Sequence, residues 1–239
     1  MTVVLVAGAS SRVGREAVRI LRARGLPTIA HVSPEAPDAP ALRRRFEADG
    51  ALVDDTPWDT SPLMARLPEL RPSIVLCLVG VESPEAARVA ERAAGRSGTR
   101  WDLTDYSLTR MLVAASSRAS LRPRFVYLSG PDANESTRSD RGRARWKAEQ
   151  AVRHSGLPWT IVRAPRVLGL GAEEASFGDR TATAALGVAS TMLRVVGARA
   201  LTVRWAPRAA SDIAESVVDV ALDPATANRV VDAWPAVRS

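Results

Sequence analysis

The stretch VVLVAGASSRVGREAV, from Val3 to Val18, decides the fold because it predicts an apolar strand, a tight turn and the start of a helix. In such turns the first glycine reverses the chain and the last lets helix and strand pack closely, roles that Gly8 and Gly14 supply. The middle role falls on Ser11 or Arg12, depending on the spacing used. A serine hydroxyl can cap the helix or donate to a phosphate oxygen, and an arginine can form a charge-assisted bond to phosphate. We therefore predict that the turn binds the pyrophosphate of a dinucleotide at the helix N-terminus.

The order of elements predicts an α/β fold. Six short apolar runs bounded by Gly, Pro or Asp predict strands: VVLVAG, LPTIAHV, ALVD, SIVLCLVG, RFVYLSG and LPWTIVRAP. Helical spacing of apolar residues follows in RVGREAVRILRARG, ALRRRFEADG, SPLMARL, SPEAARVAERAAGRSG, DYSLTRMLVAASSRA and RGRARWKAEQAVRHSG. This alternation predicts a Rossmann-like, doubly wound parallel sheet covered on both faces.

We predict a single domain over residues 1–239, with a Rossmann core over 1–165 and a small C-terminal lobe over 166–239 that completes the site. The lobe contains a loop-like stretch, a helix, a short strand in LTVRWAP and the helix SDIAESVVDVALD, capped by Ser211 or Asp212. Because the lobe is too short to fold alone, we expect it to cover the carboxyl edge of the sheet, where ligands bind in open α/β folds.

Composition is that of a globular protein, with 46% apolar and 25% charged residues. The formal net charge is +7, and Lys147 is the sole lysine among 33 basic residues. The arginine patches at 43–45 and 138–145 lack interleaved aromatic residues, which favours solvated faces over a nucleic-acid partner.

One cysteine, Cys77, excludes an internal disulfide and indicates a reducing compartment. The first strand follows the N-terminus without a leader-like segment, so we predict a cytoplasmic protein. The run ATAALGVASTMLRVVGA from Ala182 is interrupted by Arg194 and is too polar for a membrane span, so it predicts a packed or dimer-forming helix. Homodimer formation stays open, and no metal site is predicted.

The end of the second predicted strand bears on cofactor choice. Proteins that bind NAD place an acid there to hold the ribose hydroxyls. In this chain His31, Val32 and Ser33 occupy those positions, and Glu35 follows two residues later. Together with Arg12 this pattern favours NADP over NAD, although His31 is equally well explained as a plain strand-end residue.

Three stretches, VVLVAGASSRVG, FVYLSG and KAEQAVRHSGLPWTIVRAP followed by VLG, resemble atypical short-chain dehydrogenase/reductases of the NmrA-like, NAD(P)H-binding group. The resemblance extends to roughly Leu170 and implies a Rossmann fold with a small substrate lobe. Its members include reductases, epimerase-like enzymes and cofactor-binding regulators. Together with the strand-end residues His31 and Ser33, the residues expected at the cofactor are Gly8, Ser10, Ser11, Arg12, Val13, Gly14, Asp54 or Asp55, Leu78, Val79, Gly80, Lys147, Pro165 and Val167.

The resemblance breaks at the catalytic pair. Active members place a tyrosine one helical turn before a lysine, so that the lysine lowers the phenol's pKa. Counting back from Lys147 gives Arg143, whereas alignment on AEQAVRHSGL gives Arg141 and Arg145, and neither register contains a tyrosine. An arginine cannot replace the phenol as a proton donor near neutrality, but it can hold an anion. Arg143, Arg145 or Lys147 could therefore bind ribose or a substrate carboxylate.

Three residues of the same predicted helix also have a purely structural interpretation. Arg145, Glu149 and Arg153 follow one another at spacings of four, which predicts a surface ion-pair stripe. Ser129 matches a family serine that orients a carbonyl and is equally plausible as a strand-end cap. Tyr127 lies inside a strand, so Tyr106 is the remaining phenol. The catalytic candidates are thus Ser129, Lys147 and Tyr106.

Three functions are consistent with these residues. The first is an NADP-dependent oxidoreductase or epimerase-like enzyme acting on a small organic molecule, because hydride transfer belongs to the cofactor. The second is a non-catalytic, NmrA-like protein that senses the dinucleotide, which the missing tyrosine favours. The third is a non-redox enzyme of specialised metabolism on the same fold. The fold alone cannot choose among them.

Overall fold

The computed structural model describes residues 2–80, 98–118, 122–167 and 207–233. Within these ranges, seven parallel strands form one sheet in the order β3-β2-β1-β4-β5-β6-β7. The strands are β1 Val4–Ala7, β2 Thr28–His31, β3 Leu52–Asp54, β4 Ile74–Cys77, β5 Arg124–Ser129, β6 Trp159–Arg163 and β7 Arg229–Asp232. The helices are α1 Arg12–Ala23, α2 Ala39–Ala48, α3 Thr60–Leu70, α4 Ser107–Arg118, α5 Asp140–Arg153 and α6 Ala210–Leu222. The predicted doubly wound α/β fold is confirmed.

Both faces of the sheet are buried, which explains the continuous apolar runs. On β1, Val4 and Val6 join the core beneath α1, α2 and α6, whereas Leu5 and Ala7 join the core beneath α3, α4 and α5. Strand β1 pairs with β2 on one side and with β4 on the other. The strand order therefore reverses at β1, and ligands of open α/β sheets bind in the crevice at the carboxyl ends next to such a reversal.

Residues 210–232 of the predicted C-terminal lobe add a helix and a strand to the same layers. Helix α6 packs against α1, and β7 extends the sheet beyond β6 in parallel. The predicted cap at Ser211 or Asp212 is wrong, because α6 already begins at Ala210 with Ala209 as its N-cap residue. A bridge between Val167 and Arg208 brings the chain to this point and fixes the start of the helix.

Three predicted elements lie outside the described residues, wholly or except for one terminal residue. The helix SPEAARVAERAAGRSG falls almost entirely within 81–97, and the helix and the strand LTVRWAP predicted in the C-terminal lobe fall within 168–206 except for Pro207. The run from Ala182 with its suggested dimer-forming role belongs to this second range.

Candidate functional site

The turn after β1 is shaped by two glycines. Gly8 has a φ of 86°, in the left-handed region, and a Cβ there would lie 2.7 Å from the Leu78 carbonyl oxygen. A Cβ at Gly14 would lie 2.1 Å from the Gly8 carbonyl oxygen. Backbone atoms fill both spaces, so neither position accommodates a side chain unless the chain shifts.

Ser11 is the N-cap residue of α1. Its Oγ accepts a hydrogen bond of 3.0 Å from the Gly14 amide and donates one of 2.8 Å to the Gly8 carbonyl oxygen. The hydroxyl therefore serves the turn itself, which is the capping role weighed from the sequence. Arg12 is the first helical residue and is exposed. Ser10 is fully buried, and its carbonyl oxygen accepts a bond of 2.9 Å from Arg15 Nε.

A pocket lies beside this turn, at the carboxyl ends of β4, β5 and β6. Predicted site residues form part of its wall: Ser11, Val13, Leu78, Val79, Gly80, Ser129, Pro165 and Val167. The wall also contains Leu128, Arg141, Arg145, Ala164, Arg166 and Ile213. The structure thus joins the glycine turn, two strand ends and the chain after β6 around one cavity.

The first half of α5 presents two arginines to the pocket. Arg141 lies over the Trp101 ring, with 5.2 Å between Cζ and the ring centroid. Arg145 is 14% exposed, and its Nε donates a 3.2 Å bond to Oδ1 of the buried Asp105. Of the two registers considered for this helix, the one aligned on AEQAVRHSGL therefore faces the cavity, with an arginine at both positions. Their spacing of four was the sequence signal for this pair.

Lys147 and Tyr106 lie together on another side of α5. The Lys147 side chain is 52% exposed, and its Nζ donates a 2.7 Å bond to Asp102 Oδ1. The same Nζ lies 6.0 Å from the centroid of the Tyr106 ring. Burial acts to raise the pKa of Asp102, but bonds from Lys147 and Thr99 outweigh it and hold the pKa below its usual range. Neither Lys147 nor Tyr106 is part of the described pocket wall.

Ser129 is linked to a buried ion pair. Its Oγ donates a 2.7 Å bond to Oε1 of Glu149, and Arg163 donates bonds of 3.0 and 2.8 Å to the two oxygens of the same carboxylate. These bonds raise the pKa of Arg163 against the lowering effect of its burial. The predicted surface stripe is only partly correct. Arg153 Nη2 lies 4.0 Å from Glu149 Oε2, but Glu149 is fully buried and Arg145 pairs with Asp105.

The ends of β2 and β3 hold the remaining predicted residues. His31 is buried, with Nε2 2.7 Å from the Thr56 carbonyl oxygen and its ring in edge contact with Trp58. Ser33 is fully buried, and its Oγ accepts a 3.4 Å bond from the Glu35 amide. Both side chains therefore point into the protein interior.

The two predicted acids after β3 differ in exposure. Asp54 is buried and accepts a 2.8 Å bond from Arg66 Nε, whereas Asp55 is exposed and pairs with Arg43. In the described parts of the chain, no three His, Cys, Asp or Glu residues are placed to hold a metal ion. No helix within those same ranges has both the length and the apolarity needed to cross a membrane.

Comparison with known proteins supports the fold assignment. No protein-family model and no curated protein matches the sequence. Solved structures do match. An epimerase candidate from Burkholderia cenocepacia J2315 aligns with a TM-score of 0.59 at 17% identity, over 97% of this chain and 74% of that chain. A candidate NAD-dependent epimerase/dehydratase from Bacillus halodurans aligns with a TM-score of 0.59 at 14% identity, over 97% of this chain and 93% of that chain.

A third structure, AtPrR2 in apo form, aligns with a TM-score of 0.60 at 17% identity, over 97% of this chain and 70% of that chain. At these identities the likeness concerns the fold. The chain therefore has a Rossmann-like fold, which it shares with these three structures. Membership of the NmrA-like group stays a prediction.

Proposed function

We propose that this protein binds a nicotinamide dinucleotide along the carboxyl edge of its sheet and acts as an NADP-dependent oxidoreductase or epimerase-like enzyme on a small organic molecule. One observation carries the proposal. A single pocket connects the glycine turn and α1, through Ser11 and Val13, to the ends of β4 and β5 and to Pro165. That path is the one a dinucleotide follows in this type of fold.

The turn fits a pyrophosphate group. Gly8 and Gly14 bring the backbone close to the sheet, and the first turn of a helix carries amide groups and a partial positive charge that favour an anion. Leu78, Val79 and Gly80 continue the wall toward the nicotinamide end, beside Ser129 and Pro165.

The preference for NADP rests on charge near the first turn of α1. Arg12 is exposed there, and β2 ends in His31 rather than in an acid. The nearby Asp38 is paired with Arg15 at 3.4 Å, which reduces its repulsion of a phosphate. An arginine at this edge suits the doubly charged 2′-phosphate better than a ribose hydroxyl.

The bound cofactor would supply the hydride, and the chain would bind and orient its reaction partner. The polar side chains of the pocket wall are Ser11, Ser129, Arg141, Arg145 and Arg166. The described pocket wall contains no phenol, imidazole or amine, so proton transfer by the usual tyrosine has no counterpart among these residues. This observation favours the second candidate function, a dinucleotide-sensing protein without catalysis.

Titration with NADPH and with NADH, monitored by tryptophan fluorescence, tests cofactor binding. We expect tighter binding of NADPH, and we expect Arg12→Gln to reduce the difference while Arg110→Gln, an exposed site on α4, leaves it unchanged. Oxidation of NADPH in a screen of carbonyl compounds separates the two functions. Tight binding without turnover identifies the sensor, and failure of both nucleotides to bind overturns the proposal.

A cytoplasmic location belongs to the same proposal. It is supported by Cys77, which is buried as a free thiol in β4 and is the only cysteine of the sequence. Fractionation of cells that produce the protein tests it, with recovery in the membrane or secreted fraction as the contrary result.

A further inference from the structure

We propose that the part of the pocket lined by Arg141 and Arg145 binds the oxyanion of a small hydroxylated carboxylate or phosphate ester. This inference rests on the proposed function, because it takes the pocket to be the place where the second ligand meets the cofactor. It names the chemical class of that ligand, which the fold alone leaves open.

Arg145 is held in place by the strand ends. Its Nε bonds to Asp105, which is buried beside Gly80, where an added Cβ would lie 3.2 Å from Asp105 Oδ1. The guanidinium lies against Gly130, where an added Cβ would lie only 2.3 Å from Arg145 Nη1. Two glycines that follow β4 and β5 thus make room for the ion pair. The guanidinium is fixed at the wall rather than extended into solvent.

Arg141 adds a second guanidinium one helical turn earlier. Its stacking over Trp101 at 5.2 Å orients the plane of the group. Arg166, after β6, is a third arginine in the same wall. A planar guanidinium donates two parallel bonds to a carboxylate or phosphate, so this arrangement suits an oxyanion better than a neutral group.

Ser129 indicates what lies next to the oxyanion. Its hydroxyl proton is donated to Glu149, and Arg163 bonds to both oxygens of that carboxylate. Ser129 is part of the pocket wall, and because its proton is donated to Glu149, its oxygen would accept a bond from a ligand hydroxyl or N–H group. Because Ser129 precedes Gly130, against which Arg145 lies, the hydroxyl and the oxyanion must be close together in the ligand.

Calorimetric titration in the presence of saturating NADPH tests the inference. The probes are lactate and glycerol phosphate, with methyl lactate and glycerol as neutral counterparts. We expect one or both anions to bind at least about tenfold more tightly than the matched neutral compound. Whichever of the two anions binds more tightly shows whether the site prefers a carboxylate or a phosphate. Equal affinity for anion and neutral counterpart, or no binding of either anion, overturns the inference.

Variants of Arg141 and Arg145 test whether the anion binds at these two residues. Arg141→Gln and Arg145→Gln should each lower the affinity for the anion by about ten- to a hundredfold, the usual range for bonds to a charged group. The affinity for NADPH should stay unchanged. Arg110→Gln is the matched control. Because Arg145→Gln removes the positive charge that pairs with the buried Asp105, the double variant with Asp105→Asn provides a folded alternative.

The result separates the inference from the proposed function. Loss of NADPH binding equal to the loss of anion binding assigns the arginines to the cofactor and overturns the inference. Anion binding by a protein that binds no nucleotide, measured without NADPH, supports the inference while the proposed function fails.

Discussion

Ser129 Oγ and Glu149 Oε1 are joined by a hydrogen bond of 2.7 Å that connects the pocket wall to a fully buried carboxylate. The carboxylate is held in turn by Arg163 on β6. A buried ion pair adds little net stability compared with apolar residues of the same size, but removal of one partner leaves an uncompensated charge in the interior. The pair therefore fixes the geometry of Ser129, α5 and β6.

Replacement of Glu149 tests this dependence. We expect Glu149→Ala to lower the free energy of unfolding by about 1.5–3 kcal/mol, because the half-buried Arg163 loses both of its bonds to the carboxylate. Urea denaturation measures the change. The double variant Glu149→Leu with Arg163→Met should recover much of the loss. A loss below about 1 kcal/mol in Glu149→Ala would show that water or another group reaches Arg163.

Substitution at Gly14 tests the phosphate turn. Gly14→Ala would place a Cβ 2.1 Å from the Gly8 carbonyl oxygen, so the turn must open. We expect a cost of about 1–3 kcal/mol in stability and loss of measurable NADPH binding. Gly25→Ala is the matched control, because its φ of 73° causes strain but no atom lies within 4 Å of the added Cβ. Equal NADPH affinity in the Gly14 variant and the wild type would contradict the assignment of the turn.

The Cys77 thiol should be inert in the folded protein. Burial raises its pKa to about 12, against a partial lowering by its contact with Thr109. Because the thiolate is the reactive form, iodoacetamide at about pH 8 should label Cys77 only after urea unfolds the protein. Mass spectrometry of intact protein measures the fraction labelled. Full labelling of the native protein on the same timescale would show that the thiol is accessible.

The Asp102–Lys147 pair should contribute a pH-dependent part of the stability. The pKa of Asp102 is lowered in the folded state, so the contribution is present above the ordinary carboxyl pKa of about 3.9 and is lost as the pH falls through the lower, folded-state pKa. Since Lys147 is exposed, we expect less than about 1 kcal/mol. Asp102→Asn should therefore show a shallower rise of stability with increasing pH in this acid range than the wild type.

The variant Lys147→Met provides the control for that measurement. It removes the partner that lowers the pKa of Asp102, so it should flatten the same acid step. Identical pH profiles for the wild type and both variants would contradict a stabilising pair. NADPH affinity in Lys147→Met also tests the sequence prediction that Lys147 contacts the cofactor.

The fold was predictable because each of the six predicted strands is short, apolar and bounded by turn residues. Strand β7 was missed for a physical reason. It lies at the edge of the sheet, Val230 is exposed, and Arg229 and Asp232 give it a charged pattern. Edge strands lack the continuous apolar run that marks strands covered on both faces.

The site was only partly predictable. Glycines and strand ends locate the cofactor edge, and most of the described pocket wall was named from them. Sequence spacing could not decide which face of α5 meets the pocket, because Lys147 and Arg145 both occur near the expected position. It also could not show that Glu149 is buried, since its partners Ser129 and Arg163 lie on other elements.

The packing of α6 on α1 has a consequence for the order of events in biosynthesis. The apolar side of α1, with Val18 and Leu21, is covered by Val217 and Val218 of α6. Arg24 and Asp219, which are 195 positions apart, close the contact with a 2.6 Å bond. A growing chain therefore cannot bury the apolar side of α1 until α6 has left the ribosome. The core on this face of the sheet is completed only after the whole segment between Arg24 and Asp219 has been synthesised.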